Sequence, residues 1–335
     1  MLKTILILSL AVLALSNSFL EKNSPLDHER LANYINSVQS QWVAGVNSRF
    51  ENKSMSDIKN LLGALKTPKE KRLPVKKMLR AANIPASFDS REAWPSCTSL
   101  KEVRDQSNCG SCWAFGAAEA MSDRICIASG QTRQDRISAE DLLSCCDSCG
   151  NGCDGGYPGA AWDYFANTGL VTGGLYSDTN WCKPYTLPPC DHHVSGKYGP
   201  CSGDSPTPQC VYTCQSSYPK AYHDDLHFAS NSYSVNSNEA DIQTELMTHG
   251  PVEAAFEVYE DFPTYKSGVY QHTTGSYLGG HAIKIIGWGV ENSAPYWLVV
   301  NSWNEGWGDN GTFKIKRGSD ECGIEDEIVA GVPKL

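Results

Sequence analysis

The sequence predicts an α+β fold, and three observations predict it. Between residue 84 and Gly250, helix start and stop signals dominate. After Gly250 the periodicity changes to the alternation of strands. A leading stretch that holds none of the 14 cysteines precedes this α+β unit and differs from it in charge. A chain of 335 residues is ample for a large core and fits about two domains.

The elements follow in chain order. Lys3, the apolar run Ile5 to Leu15 and the small-residue exit Ala14-Leu15-Ser16 have the layout of a signal peptide over residues 1–18. That run is too short for a membrane span, and no later run is long enough. A secreted, soluble product is expected. Phe19 to Asn83 reads as a propeptide, with 12 Lys and Arg against 6 Asp and Glu, a net +6. Its basic end runs from Lys69 to Arg80, and Trp42, Leu61 and Leu62 argue that it packs on something. From Ile84 onward the count is 15 against 32, a net −17. An acidic body argues against nucleic acid as a partner.

A helix is expected after Cys112, through Ala114, Ala117, Ala118, Glu119, Ala120, Met121 and Ile125, with Gly130 as its stop. Ser138-Ala-Glu-Asp141 reads as a capping box before Leu142-Leu143. Pro158 to Asn167 has Pro at its start and Gly169 past its end. Asn238 to His249 is a further helix, ended by Gly250. Then Val252, Ala254, Phe256 and Val258 alternate with Glu253, Ala255, Glu257 and Tyr259. Residues 282–286, 296–300 and 312–316 continue the strand half. No internal repeat is present.

Cys112 is the first candidate for chemistry. At a helix N-terminus, unpaired N–H groups and the positive end of the macrodipole favour a thiolate, which is the nucleophilic form. Gln106 supplies a side-chain donor that, with the Cys112 N–H, would hold the oxyanion of an attacked carbonyl. Cys109-Gly-Ser-Cys112 is also a C-x-x-C, which reads equally as a redox pair or half a zinc site. His281 opens one apolar run and Asn301 closes another, both read as strand ends facing a cleft. A lone histidine beside a strand is more often a core or surface residue; as a catalytic group it would serve as base and then acid, with Asn301 orienting its ring. Trp303 and Trp307 would shield that bond from water.

The run Cys109-Gly110-Ser111-Cys112-Trp113 resembles the signature of papain-type cysteine proteases, and later residues sharpen the resemblance to the cathepsin B-like group. Gln41-Trp42-Val43-Ala44-Gly45-Val46-Asn47 resembles an element of its short pro-region. Ile84-Pro-Ala-Ser-Phe-Asp89 resembles its mature N-terminus, so 84–335 would be the peptidase domain. The resemblance implies a papain-like two-domain fold, with a helical left domain, a β-barrel-like right domain and the active-site cleft between them. It implies the disulfides Cys97–Cys126, Cys109–Cys153, Cys145–Cys210, Cys146–Cys149, Cys182–Cys214 and Cys190–Cys201. Cys112 and Cys322 would stay free, and a Cys109–Cys112 redox pair is then ruled out.

The distance from Cys112 to His281 exceeds the roughly 130–150 residues usual for the family, which fits an insertion. Residues 188–203 resemble the occluding loop of the cathepsin B-like group. Its His192 and His193 would hold a substrate's C-terminal carboxylate. Adjacent histidines also suit zinc, but no nearby cysteine is left free, so no metal and no cofactor are expected. The family latches this loop by two ion pairs. His192 and Asp105 supply the first, while Tyr198 and Gly306 stand where the second would be. Gly155 and Gly156 resemble the wall that meets the substrate backbone. Glu327 aligns with the acid at the base of the S2 pocket, and Trp303 lines the substrate site. The implied function is a zymogen of an endopeptidase and peptidyl-dipeptidase of acidic compartments. Its partners would be protein and peptide substrates, its own propeptide and cystatin-type inhibitors. It would be a monomer in the lysosome, the vacuole or outside the cell. A catalytically inactive cathepsin-like binding protein is the alternative.

Overall fold

Two hydrophobic cores form, and the leading segment joins both, through Ile35 and Trp42 in one and Ala64 in the other. A computed structural model describes residues 27–50, 53–191, 199–200 and 205–335. The expected signal peptide, His192, His193, Tyr198 and Cys201 lie outside the described residues.

The leading segment is folded. Asp27 accepts from the Arg30 N–H and caps α1, His28–Val38, which buries His28, Ala32 and Ile35. β1, Trp42–Ala44, follows. Ser54 and Asp57 form a reciprocal capping box that starts α2, Met55–Lys59. β2, Phe88–Asp89, and α3, Ser90–Ala93, open the body.

The helical core is built around α4, Cys112–Ala128, in which every residue from Cys112 to Cys126 is buried. Its alanines let neighbours approach on all sides, and its buried Glu119, Asp123 and Arg124 pair with Lys284 and Glu245. α5, Ala139–Cys145, starts where Ser138 Oγ accepts from the Asp141 N–H at 2.9 Å. Only that half of the expected box forms. Asp141 turns inward instead, to Lys183 at 3.1 Å and the Tyr222 hydroxyl at 2.9 Å. α6, Pro158–Asn167, ends before Gly169 at φ +85°. Five of the expected disulfides are present: Cys97–Cys126, Cys109–Cys153, Cys145–Cys210, Cys146–Cys149 and Cys182–Cys214. Cys190 is disulfide-bonded as well, and Cys112 and Cys322 are free.

Short β3, Cys190–Asp191, and β4, Gly199–Pro200, lie within the insertion and pair in parallel. The second core lies on a sheet of β5, Phe228–Val235; β6, Val252–Tyr259; β7, Tyr265–Tyr270; β8, Tyr277–Glu291; β9, Ala294–Val300; β10, Thr312–Lys316; and β11, Ile328–Lys334. α7, Glu239–His249, precedes β6 with Asn238 as its cap. The strand order is β1-β7-β10-β9-β8-β6-β11-β5, and β2 pairs with β8. The leading segment therefore supplies an edge strand, with Trp42 opposite Gly268.

One expectation is corrected, and one side chain of β6 lies where the alternation does not show it. His281 lies inside β8, not at a strand end, because pairing with β6 starts at Tyr277. Glu253 does not face water between the apolar residues of β6. It is fully buried, and the Trp162 indole donates to it at 2.9 Å. Burial pushes its carboxyl well above the usual carboxylate range.

Candidate active site

Cys112 is the first residue of α4 and is wholly buried. Burial pushes its thiol up to about 11, against backbone hydrogen bonds from Ala282 and Gly63 that act the other way. The helix-end effect that favours a thiolate is thus opposed by burial in the folded chain. Desolvation beneath the leading segment outweighs the helix-end effect.

His281 comes from the opposite core. Its Nε2 lies 2.7 Å from Asn301 Oδ1, just past the end of β9, while Nδ1 has no hydrogen-bond partner. Burial lowers its pKa to about 4, although the Asn301 bond opposes that shift. The Trp303 ring covers His281 at a centroid distance of 4.6 Å, and Trp307 packs edge-on to Trp303 at 5.1 Å. Gln106 is buried in front of α4, and its Oε1 accepts from the Ser302 hydroxyl at 2.7 Å. That fixes which end of the amide points into the cleft. Nε2 donates to the carbonyls of Cys109 at 2.7 Å and Leu61 at 2.9 Å.

A peptide already lies in the cleft, and it belongs to the same chain. Gly156 donates to the Gly63 carbonyl at 2.8 Å, and Leu65 donates back to Gly156 at 2.9 Å, in a parallel bridge centred on Ala64. On the other wall, Ala64 donates to the Gly280 carbonyl at 3.0 Å. Close approach needs glycine on both sides. A Cβ on Gly63 would lie 1.7 Å from the Gly110 oxygen, and one on Gly156 would meet the Trp113 ring at 2.6 Å. Gly155, at φ +114°, adjoins the Gly63 carbonyl. Sequence reasoning missed Gly63, because a lone glycine among leucines carries no signal of its own.

Two acidic residues of the body find partners in the leading segment. Asp105 is held by Arg49 of the leading segment at 3.1 Å, with both side chains nearly buried, and Asn304 donates to it at 2.9 Å. It is therefore engaged by a guanidinium, and its expected partner His192 lies outside the described residues. Glu327 is not a solvated carboxylate: it is buried, and it accepts from the Thr67 hydroxyl and from the Thr67 N–H at 3.2 Å. Glu327 and Asp326 line a cavity of about 70 Å³ with Ala64, Ala255, Phe256 and Tyr277. Further pairs join the segment to the body: Arg72–Asp326 at 2.8 Å, Lys76–Glu245 at 3.9 Å, Arg80–Asp241 at 2.5 Å and the exposed Lys66–Glu257 at 4.0 Å. Gly306 offers no second latch, and a Cβ there would meet Asn304 Oδ1 at 3.0 Å. Among the described residues no cluster could hold a metal ion, and no helix is long and apolar enough to cross a membrane.

The chain is similar to known proteins over most of its length. The papain family cysteine protease model matches residues 84–332, and the peptidase family C1 propeptide model matches residues 29–68. A cathepsin B-like cysteine proteinase of Schistosoma japonicum is 50% identical over 319 residues, covering 94% of this chain and 93% of the relative. Cathepsin B-like cysteine proteinase 6 of Caenorhabditis elegans is 51% identical over 320 residues, covering 92% and 84%. Among solved structures, procathepsin B S9 from Trypanosoma congolense superposes with a TM-score of 0.81 at 37% identity, covering 93% of this chain and 100% of that one. Digestive procathepsin L2 from Tenebrio molitor larval midgut gives 0.66 at 26% identity, covering 90% and 87%.

Proposed function

The chain belongs to the papain family of cysteine proteases, as a cathepsin B-like peptidase made with a propeptide, and from that premise we propose how its residues divide the work. Residues 1–18 are the signal peptide, 19–83 the inhibitory pro-segment and 84–335 the mature enzyme. Cys112 is the nucleophile and His281 the base. When the pro-segment leaves, water reaches both groups and the proton moves from Cys112 Sγ to His281 Nδ1. Sγ then attacks the peptide carbonyl. The carbonyl oxygen takes up negative charge and is held by Gln106 Nε2 and the Cys112 N–H. His281 returns the proton to the leaving amine, and water hydrolyses the thioester. Asn301 keeps the ring oriented, under Trp303.

The observation that carries this reading is the Leu61 carbonyl on Gln106 Nε2, with Gly63 and Leu65 bridged to Gly156. A backbone carbonyl already takes up the proposed oxyanion donor. His192 and His193 would add release of C-terminal dipeptides, and Glu327 would form the base of the S2 pocket. We assign the enzyme to the acidic part of the secretory route or to the exterior, as a monomer open to cystatin-type inhibitors. The test is labelling with an epoxysuccinyl thiol reagent before and after pro-segment removal. Cys112 should label only afterwards, and quenched peptides with a free C-terminus should be cut faster than their amides. Absence of labelling in the processed protein would favour a catalytically dead binding protein.

A further inference from the structure

The carboxylate at position 327 has a neighbour that the reaction scheme leaves unused. Arg72 Nη1 donates to the Asp326 carbonyl at 3.0 Å and to its Oδ1 at 3.1 Å, and Nη2 donates to Oδ2 at 2.8 Å. The same Nη2 stands 4.0 Å from Glu327 Oε2. One guanidinium is thus read by a carboxylate fork and a carbonyl, with a second carboxylate in reach.

The receptor is held in shape by the body. Asp326 lies on a turn closed by its N–H to the Gly323 carbonyl at 3.1 Å. Buried Glu325 fixes that turn, accepting from the Gly318 N–H at 2.7 Å, the Asp320 N–H at 3.0 Å and the Trp297 indole at 2.8 Å. A ligand pays little to order such a site. Asp326 and Glu327 line the same cavity, which the pro-segment covers with Ala64 and Lys66. When the pro-segment departs, Arg72 and Thr67 leave together. Two adjacent carboxylates then stand open, and their mutual repulsion favours a cation between them.

We propose that Asp326 is a second specificity-determining carboxylate, which acts with Glu327 as a clamp for the guanidinium of a substrate arginine and selects arginine over lysine in that pocket. This rests on the reading of Glu327 as the base of the S2 pocket. The discrimination follows from shape. Arginine presents parallel N–H groups to a carboxylate and keeps a further donor for the carbonyl. Lysine offers a point charge that serves one acceptor well and leaves the fork unmatched.

The test uses the processed enzyme, with active sites counted by the epoxysuccinyl reagent. Three fluorogenic peptides share Arg at P1 and carry Arg, Lys or Phe at P2. The wild-type enzyme should prefer Arg to Lys by roughly tenfold in kcat/KM, and a ratio near one overturns the proposal without any variant. Asp326→Asn should lower turnover of the P2 Arg peptide by about tenfold and leave the Phe peptide within about twofold. Asp326→Glu should restore part of the loss. An unchanged Arg-to-Lys ratio in Asp326→Asn, even with faster zymogen activation, would make Asp326 a pro-segment anchor only and overturns the clamp. Glu327→Gln separates the two readings. If it removes the Arg preference and Asp326→Asn does not, the clamp alone is refuted. If it too leaves the preference intact, the S2 assignment falls as well.

Discussion

The helical half and the sheet half are held together by different means. Each of the five disulfides described joins residues between Cys97 and Cys214, in the helical half and its loops. From Phe228 onward the only cysteine is Cys322, which is free. The sheet half relies on an aromatic cluster of Phe256, Phe262, Tyr265, Tyr270, Trp307 and Phe313. Residues of the pro-segment complete that cluster. Trp42 packs on Tyr265 and Tyr270, and Phe50 meets Trp303 edge-on at 5.1 Å. One half is closed by covalent bonds within itself. The other borrows part of its core from a segment that later leaves.

The strongest way to break this contrast is Trp42→Ala. Its ring is 2% exposed and its indole donates to the Gln271 carbonyl at 3.0 Å. Loss of a buried Trp costs roughly 3–5 kcal/mol, so urea unfolding of the zymogen should shift by about that much. A shift below about 1 kcal/mol would make the sheet half as self-sufficient as its partner.

Gln106 tests the seam between the halves. It belongs to the helical side, yet its Oε1 is fixed by Ser302 on the sheet side. Gln106→Ala should slow kcat by roughly 10²–10³-fold, the cost of one oxyanion donor, with little effect on KM. Gln106→Glu keeps the acceptor toward Ser302 and removes the donor, so it should be as slow. A Gln106→Glu enzyme of near wild-type rate would return Gln106 to a purely structural role.

The smallest effect concerns pH. His28 in α1 is 4% exposed and stacks on Phe50, and burial lowers its pKa from 6.5 to about 4. It is neutral while docked and takes a proton once released. Docking is therefore undisturbed above 6.5 and weakens as pH falls from there toward 4, by roughly 3 kcal/mol at most. Two other pairs act lower. Arg72 and Arg80 hold Asp326 and Asp241 below the usual carboxylate range, and that stabilisation is lost only as pH falls through those depressed values. His28→Phe should flatten the activation rate between pH 6.5 and about 4.5 and leave the rise below it. An unchanged profile would assign the upper limb to another group, His281 first among them.

What the sequence disclosed follows from how local each signal is. The helix at Pro158–Asn167 was legible because Pro, apolar spacing and Gly169 sit within a dozen residues. The pairing of His281 with Asn301 and the helix start at Cys112 were legible through their flanks. The burial of Cys112 and the partners of Asp105 and Glu327 were not. Each depends on residues such as Gly63, Arg49 and Thr67, which reach the site only after the pro-segment has folded back across the whole body. The span of β8 has a related cause: Gly279 and Gly280 belong to the strand because they pair with Val258 and Glu257 of β6.

The pro-segment touches the body at many points, from Trp42 to Arg80, and is still part of the same polypeptide. While it is tethered, any contact that opens meets its partner again at an effective concentration in the millimolar range. Leu79 is 97% exposed beside Arg80. A cut in that stretch changes none of the contacts upstream of it. It turns an internal ligand into a separate molecule, and a detached segment is then lost by dilution. Before the cut, activity per molecule is independent of protein concentration; after it, activity should rise as the solution is made thinner.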